Sequence, residues 1–265
     1  MSIGFSETFP LQRDLLAAAM RTYADSPGIA RPDVAHRLGI NLRKLNGVKG
    51  WLRALGWRDH SRKTLSAVGV LVSEQDPYLE RTGTLCLMHY CLVTVGVAEV
   101  WFHVVNDFLP WHREFTAEEL YSFVERIGLS ARSPKHCRSD TRNFLNAHLS
   151  RNALAEVGLL RDSAPGYRAQ SASALPELVL GYTIYDQREK GIATSTIAID
   201  SLVAEQNSVG RVFLLDRSQL LSQLSQLELR GLVRIHRIAD LDNIAYTFEG
   251  NSVDILRMYY EEAHK

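Results

Sequence analysis

Apolar positions recur every three or four residues through most of this chain, with short polar breaks between them, and predict a mainly helical protein. Pro10 opens a first helix that carries Leu15, Leu16, Ala19 and Met20. Pro32 sits at the start of a short second helix that stops at Gly39, and Asn41 stands where the N-cap of a third belongs. That third helix runs towards Gly56 with Leu45, Val48, Leu52 and Leu55 on one stripe. Residues 64–72 read as a β-prone return strand, so the order is helix, turn, helix and ribbon, as in a winged helix-turn-helix.

Further on, helical periodicity covers residues 84–95 and 99–108. Thr116 and Glu119 form the capping box of a helix bearing Leu120, Phe123, Val124 and Ile127, and Gly128 ends it. Residues 133–149 and 152–160 give two more helices. Residues 161–174, rich in Ser, Ala, Pro and Gly, read as a linker. Beyond it come helices at 175–186, 199–206 and 216–230, alternating strands at 232–238 and 243–249, and a last helix at 253–264. The expected fold class is mainly α with small β wings. The expected domains are an N-terminal winged helix-turn-helix (1–75), a central helical domain (76–160) and a C-terminal winged-helix-like domain (161–265).

Charge changes this picture at one place. The chain has 30 basic and 30 acidic residues, yet residues 31–63 hold nine Lys and Arg against two Asp. Opposite its apolar stripe, the third helix carries Arg43, Asn46, Gly47, Gly50, Arg53 and Ala54. Cations, an amide and small residues on one face suit close approach to a polyanion, although the two glycines equally suit close packing within the same protein. The DNA-binding candidates are Arg43, Lys44, Asn46, Lys49, Arg53, Arg58, Arg62 and Lys63, extended by Arg138 and Arg142 on a second basic helix. A solvated charged surface is the plain alternative for both stretches.

Signals for chemistry are sparse. The chain has no phosphate-binding glycine loop, no zinc-protease helix and no nucleophile elbow. Asp76 and Glu80, in the run Asp76-Pro-Tyr-Leu-Glu80, could hold a divalent ion, or Asp76 could cap the following turn while Glu80 pairs with an arginine. Glu99 and His103 stand four apart on one helix, with His89 upstream. Cys86, Cys91 and Cys137 have no zinc-site spacing and make no even disulfide set, which suits a reduced, cytoplasmic protein. The most apolar run, 85–102, is interrupted by His89 and Glu99, so no membrane association is expected.

Several stretches together resemble one bacterial family of formerly unknown function, encoded beside DNA phosphorothioation genes and including the SspB-type nicking components. They are Glu7-Thr8-Phe9, Leu38-Gly39, the run Asp76 to Glu80 followed by Gly83-Thr84-Leu85 and His89-Tyr90, then Asn106, Phe108, Phe115 to Leu120, the pair Asp140 and Phe144, Leu154 to Leu159, and Gly210 to Asp216. Three positions depart from the family pattern. Ser6 replaces a histidine, Asn41-Leu42-Arg43 replaces a Gly-Lys-Asn run, and Cys86 replaces a tryptophan. The resemblance implies double-stranded DNA as partner, alongside cysteine desulfurase, ATPase and ATP-pyrophosphatase-type proteins of an anti-phage sulfur-modification system. It also implies DNA nicking, for which Mg²⁺ or Mn²⁺ would serve in-line displacement at phosphate and Asp76, Glu80 and His89 are the catalytic candidates. A non-enzymatic winged-helix adaptor or transcriptional regulator that recruits protein partners is the alternative expectation.

Overall fold

The computed structural model describes residues 2–59, 61, 63–129, 133–191, 195–238 and 241–262. Among the described residues the chain is mainly helical with two small antiparallel sheets, and it divides into two compact units, Met1–Gln170 and Ser171–Lys265.

The first unit begins with an irregular strap, residues 2–9, and then α1 (Arg13–Asp25), α2 (Arg31–Arg37) and α3 (Leu42–Ala54). The capping expected at Asn41 is present, its side chain accepting from the Lys44 amide at 2.8 Å. Gly39 and Gly56, at φ +63° and +67°, end α2 and α3 in the left-handed region. Leu45, Val48, Leu52 and Leu55 are all buried, as their spacing predicted.

The return strand expected at 64–72 is a helix instead, α4 (Ala67–Gln75). Ser66 caps it by accepting from the Gly69 amide at 3.2 Å, and the apolar run that looked β-prone supplies Leu71 and Val72 to the core. Between α3 and α4 only an isolated bridge, Arg58 to Leu65, pairs the chain with itself among the described residues. Among the described residues, the expected ribbon is therefore a loop closed by one bridge rather than an extended ladder.

Three further helices follow: α5 (Thr82–Thr94), α6 (Glu99–His103), which runs on as a wider π turn through Phe108, and α7 (Ala117–Arg126), which starts with the expected Thr116–Glu119 capping box. Then comes α8 (Pro134–Leu149). Strand β1 (Glu114–Phe115) pairs with β3 (Gly166–Ala169), which pairs with β2 (Leu160–Ser163). The stretch read as a linker is thus largely a hairpin, and the unit boundary falls just after it.

The expected break at residue 75 is not a boundary, and aromatic packing explains why. Phe5 of the strap, Trp51 of α3, Trp101 of α6 and Phe144 of α8 form one cluster, with ring centroids 4.8 to 5.9 Å apart along Phe5–Trp51, Phe5–Trp101, Trp51–Trp101 and Trp101–Phe144. Edge-on contacts of this kind bind four distant segments into one core.

The second unit comprises α9 (Glu177–Glu189), β4 (Thr196–Ala198), α10 (Ile199–Ala204), α11 (Val209–Phe213), α12 (Arg217–Leu229), β5 (Val233–Ile238), β6 (Leu241–Tyr246) and α13 (Ser252–Glu262). Asp216 and Gln219 make the capping box of α12, and Leu220, Leu224 and Leu227 bury its inner stripe. The hairpin forms as expected, with a third strand, in the order β4-β6-β5.

Candidate nucleic-acid interface

The glycine-bearing face of α3 is not open. A Cβ on Gly50 would lie 1.7 Å from the Phe5 carbonyl oxygen, and one on Gly47 would lie 2.7 Å from that of Ser6. The two glycines admit the strap against the helix, so the close approach they serve is internal. On its other side the strap meets α8. There Asp140 accepts from the Gly4 amide at 2.7 Å, while Asn143 donates to the Ser6 hydroxyl and the Phe9 carbonyl, both at 3.3 Å. The Trp51 indole also donates to the Phe9 carbonyl, at 3.1 Å. Glu7 and Thr8 sit at φ +53° and +71°, a strained pair of non-glycine residues that turns the strap sharply beside α3.

Beside this seam the cations gather. Arg31 donates to the Asn46 side-chain oxygen at 2.7 Å, tying α2 to α3. Lys49 is held below the ordinary lysine range, first by burial and then by the charges of Arg58, Arg31 and Lys63. The Arg58 guanidinium lies 4.9 Å from the Tyr23 ring, and Arg43 is exposed with its guanidinium 5.9 Å from the Phe9 ring. Lys63 is exposed, and the Nε atoms of Arg53 and Arg58 are buried without a hydrogen-bond partner. Asn46, Lys49 and Arg53 line one wall of a cleft of about 260 Å³, with Ser2 to Phe5 and Glu7 of the strap opposite.

The remaining candidates are spread out. Lys44 adds weakly to the lowering of the Asp14 carboxyl, which the Asn152 amide dominates. Arg62 lies outside the described residues. Arg138 and Arg142 are exposed on α8, and Arg138 stands 5.7 Å from the Tyr121 ring. At 100° per residue each is turned about 200° from its neighbour two positions away, so they point away from the strap contacted by Asp140. Arg31, bonded to Asn46, and the strap, which lines the cleft, border this cluster of cations and were not among the candidates read from the sequence. The signal available for the strap was the Gly47–Gly50 spacing.

Asp76, Glu80 and His89 occupy three different environments. Asp76 is buried, and its two carboxylate oxygens accept from the amides of Glu80 and Arg81 at 2.9 and 3.0 Å, so it caps the turn that follows it. Glu80 is exposed. His89 is fully buried, its Nδ1 3.1 Å from Nε2 of His148, whose own Nδ1 meets the Phe144 carbonyl at 3.0 Å. Among the described residues, no three His, Cys, Asp or Glu side chains converge as metal ligands. Asp76→Ala leaves the part-buried amides of Glu80 and Arg81 without their acceptor, and should lower unfolding stability by about 1–3 kcal/mol in denaturant titration, with DNA affinity unchanged.

Residues 5–260 match the model of the DUF4007 family, proteins of unknown function. The chain belongs to this family. No curated protein matches it significantly. Two crystal structures of SspB share the fold, one with magnesium ion bound at TM-score 0.81 and one without at 0.78. Each is 19% identical to this chain, with 98% of this chain and 88% of the other covered. Among the described residues, no helix is long and apolar enough to cross a membrane.

Proposed function

We propose that this protein is the DNA-contacting component of a bacterial DNA phosphorothioation system, and that the α2–α3 face with its following loop meets the phosphate backbone. The carrying observation is the gathering of cations on one face: Arg31 bonded to Asn46, Lys49 and Arg53 on the cleft wall, and Arg43 and Lys63 exposed. Such a concentration of cations is relieved by a polyanion, since each neutralised phosphate releases condensed counterions. The family membership and the SspB-like fold support the pathway, with cysteine-desulfurase, ATPase and ATP-pyrophosphatase-type proteins as partners. Helix, helix and three-stranded sheet in the second unit support a winged-helix-like module there, suited to protein contact.

Duplex binding by the whole chain tests this directly. Arg43→Glu with Lys63→Glu should weaken binding to a short duplex by roughly tenfold or more, across unrelated sequences, because phosphate contacts carry affinity without base choice. Unchanged affinity would remove the face from the account.

A second reading, a non-enzymatic adaptor, is favoured by the capping role of Asp76 and the burial of His89. Supercoiled plasmid incubated with the protein and Mg²⁺ or Mn²⁺ separates the two readings. Open circles lost in Glu80→Ala would establish nicking, and an unchanged plasmid with intact duplex binding would establish the adaptor.

A further inference from the structure

We infer that the cleft between the strap and α3 is a pocket for a single nucleotide bearing a 5′-phosphate, either free or at a strand end. This inference rests on the reading of the α3 face as the one that meets nucleic acid. A pocket of about 260 Å³ admits one small ligand and no duplex. Its walls differ in chemistry. The helix side offers the Lys49 ammonium, the Arg53 guanidinium and the Asn46 amide. Arg31 occupies the Asn46 oxygen, which leaves that side chain's NH₂ as the group able to donate. Two cations and an amide donor suit a phosphate's oxygens, and Arg53 has a buried Nε still without an acceptor.

Across the cleft, Glu7 is the one carboxylate on the lining among the described residues, and it sits on the strained Glu7–Thr8 turn. A carboxylate repels a bare phosphate but accepts hydrogen bonds from a sugar hydroxyl or a base amino group. The pocket is thus bipolar, anion-seeking on the helix side and donor-seeking on the strap side, which matches a nucleotide better than inorganic phosphate. Binding would also relieve the desolvated charge of Lys49, whose pKa is lowered.

Calorimetric titration of the full chain with deoxyadenosine 5′-monophosphate, deoxyadenosine and inorganic phosphate provides the test. The monophosphate should bind and the nucleoside should not, and Lys49→Met and Arg53→Met should each weaken binding by roughly tenfold or more. Glu7→Gln should keep phosphate binding and lose the preference for the nucleotide. A 5′-phosphorylated oligonucleotide binding more tightly than both the mononucleotide and its 5′-hydroxyl counterpart identifies a strand end as the source. The reverse order identifies a free nucleotide. Equal binding of nucleoside and monophosphate, or wild-type binding by both methionine variants, overturns the inference. Ile3→Trp fills the cleft from the strap side, so it should abolish nucleotide binding and spare duplex binding, with thermal melting as the check on folding. Duplex binding without nucleotide binding sinks this inference alone, whereas nucleotide binding without duplex binding sinks the DNA-face reading alone.

Discussion

Gly50→Ala should destabilise the first unit by about 2–4 kcal/mol and change its tryptophan emission. The added methyl would lie 1.7 Å from the Phe5 carbonyl oxygen, a backbone atom with no rotamer to yield, so the strap must lift. Lifting it withdraws Phe5 from between Trp51 and Trp101, losing roughly 1.5–3 kcal/mol of aromatic burial along with the edge-on contacts. Against that stands a helix-propensity gain of about 1 kcal/mol, which the clash outweighs. Gly47→Ala should act in the same direction but less, because its Cβ meets the Ser6 oxygen at 2.7 Å and the Phe9 side chain. Chemical denaturation followed by tryptophan fluorescence measures both. Stabilisation by Gly50→Ala, as expected of a helix open to solvent, would contradict the packed strap.

The second large effect concerns two buried titratable groups on α8 that oppose one another. Burial pushes the Asp140 carboxyl up to about 7, despite the hydrogen bond from the Gly4 amide. Burial, and then the neighbouring His89, push the His148 imidazole down to about 3. Asp140 alone makes the fold most stable below about pH 4, and this advantage is lost as pH rises through 7. His148 alone does the opposite, its contribution being full above 6.5 and lost as pH falls towards 3. Each shift is roughly three units, or about 4 kcal/mol, and between pH 4.5 and 6.5 the two slopes cancel. Asp140→Asn should therefore expose the histidine, so that stability falls by about 1.4 kcal/mol per pH unit as pH drops from 6.5 to 4.5, relative to wild type. His148→Gln should expose the aspartate and give the reverse slope. Urea midpoints at intervals of one pH unit supply the readout. Parallel profiles for wild type and both variants would show that neither group is held in the state its burial implies.

Those two effects also mark what could be read from the chain. Local signals were legible. Asn41, Thr116 and Asp216 cap their helices as their sequence neighbourhoods dictate, and Leu45, Val48, Leu52 and Leu55 share a buried face. Ambiguity arose where periodicity is short. Residues 64–72 alternate well enough for a strand, but Ser66 at an N-cap position and burial of Leu71 and Val72 settle on a helix. What was not legible was long-range. Gly47 and Gly50 look the same whether they meet DNA or the strap some forty residues earlier. The partner of His89 lies on α8, fifty-nine positions along the chain. Asp76 was legible in part, since capping was foreseeable from the turn residues after it, whereas the engagement of both its oxygens was not.

The salt dependence of duplex binding tests the central claim most directly. Log affinity should fall linearly with log salt concentration for the wild type, and the slope should shrink by about 1.8 in Arg43→Ala with Lys63→Ala, or about 0.9 per lost phosphate contact. A slope identical in wild type and double variant, or no duplex binding at low salt, would contradict the assignment of the α2–α3 face to DNA.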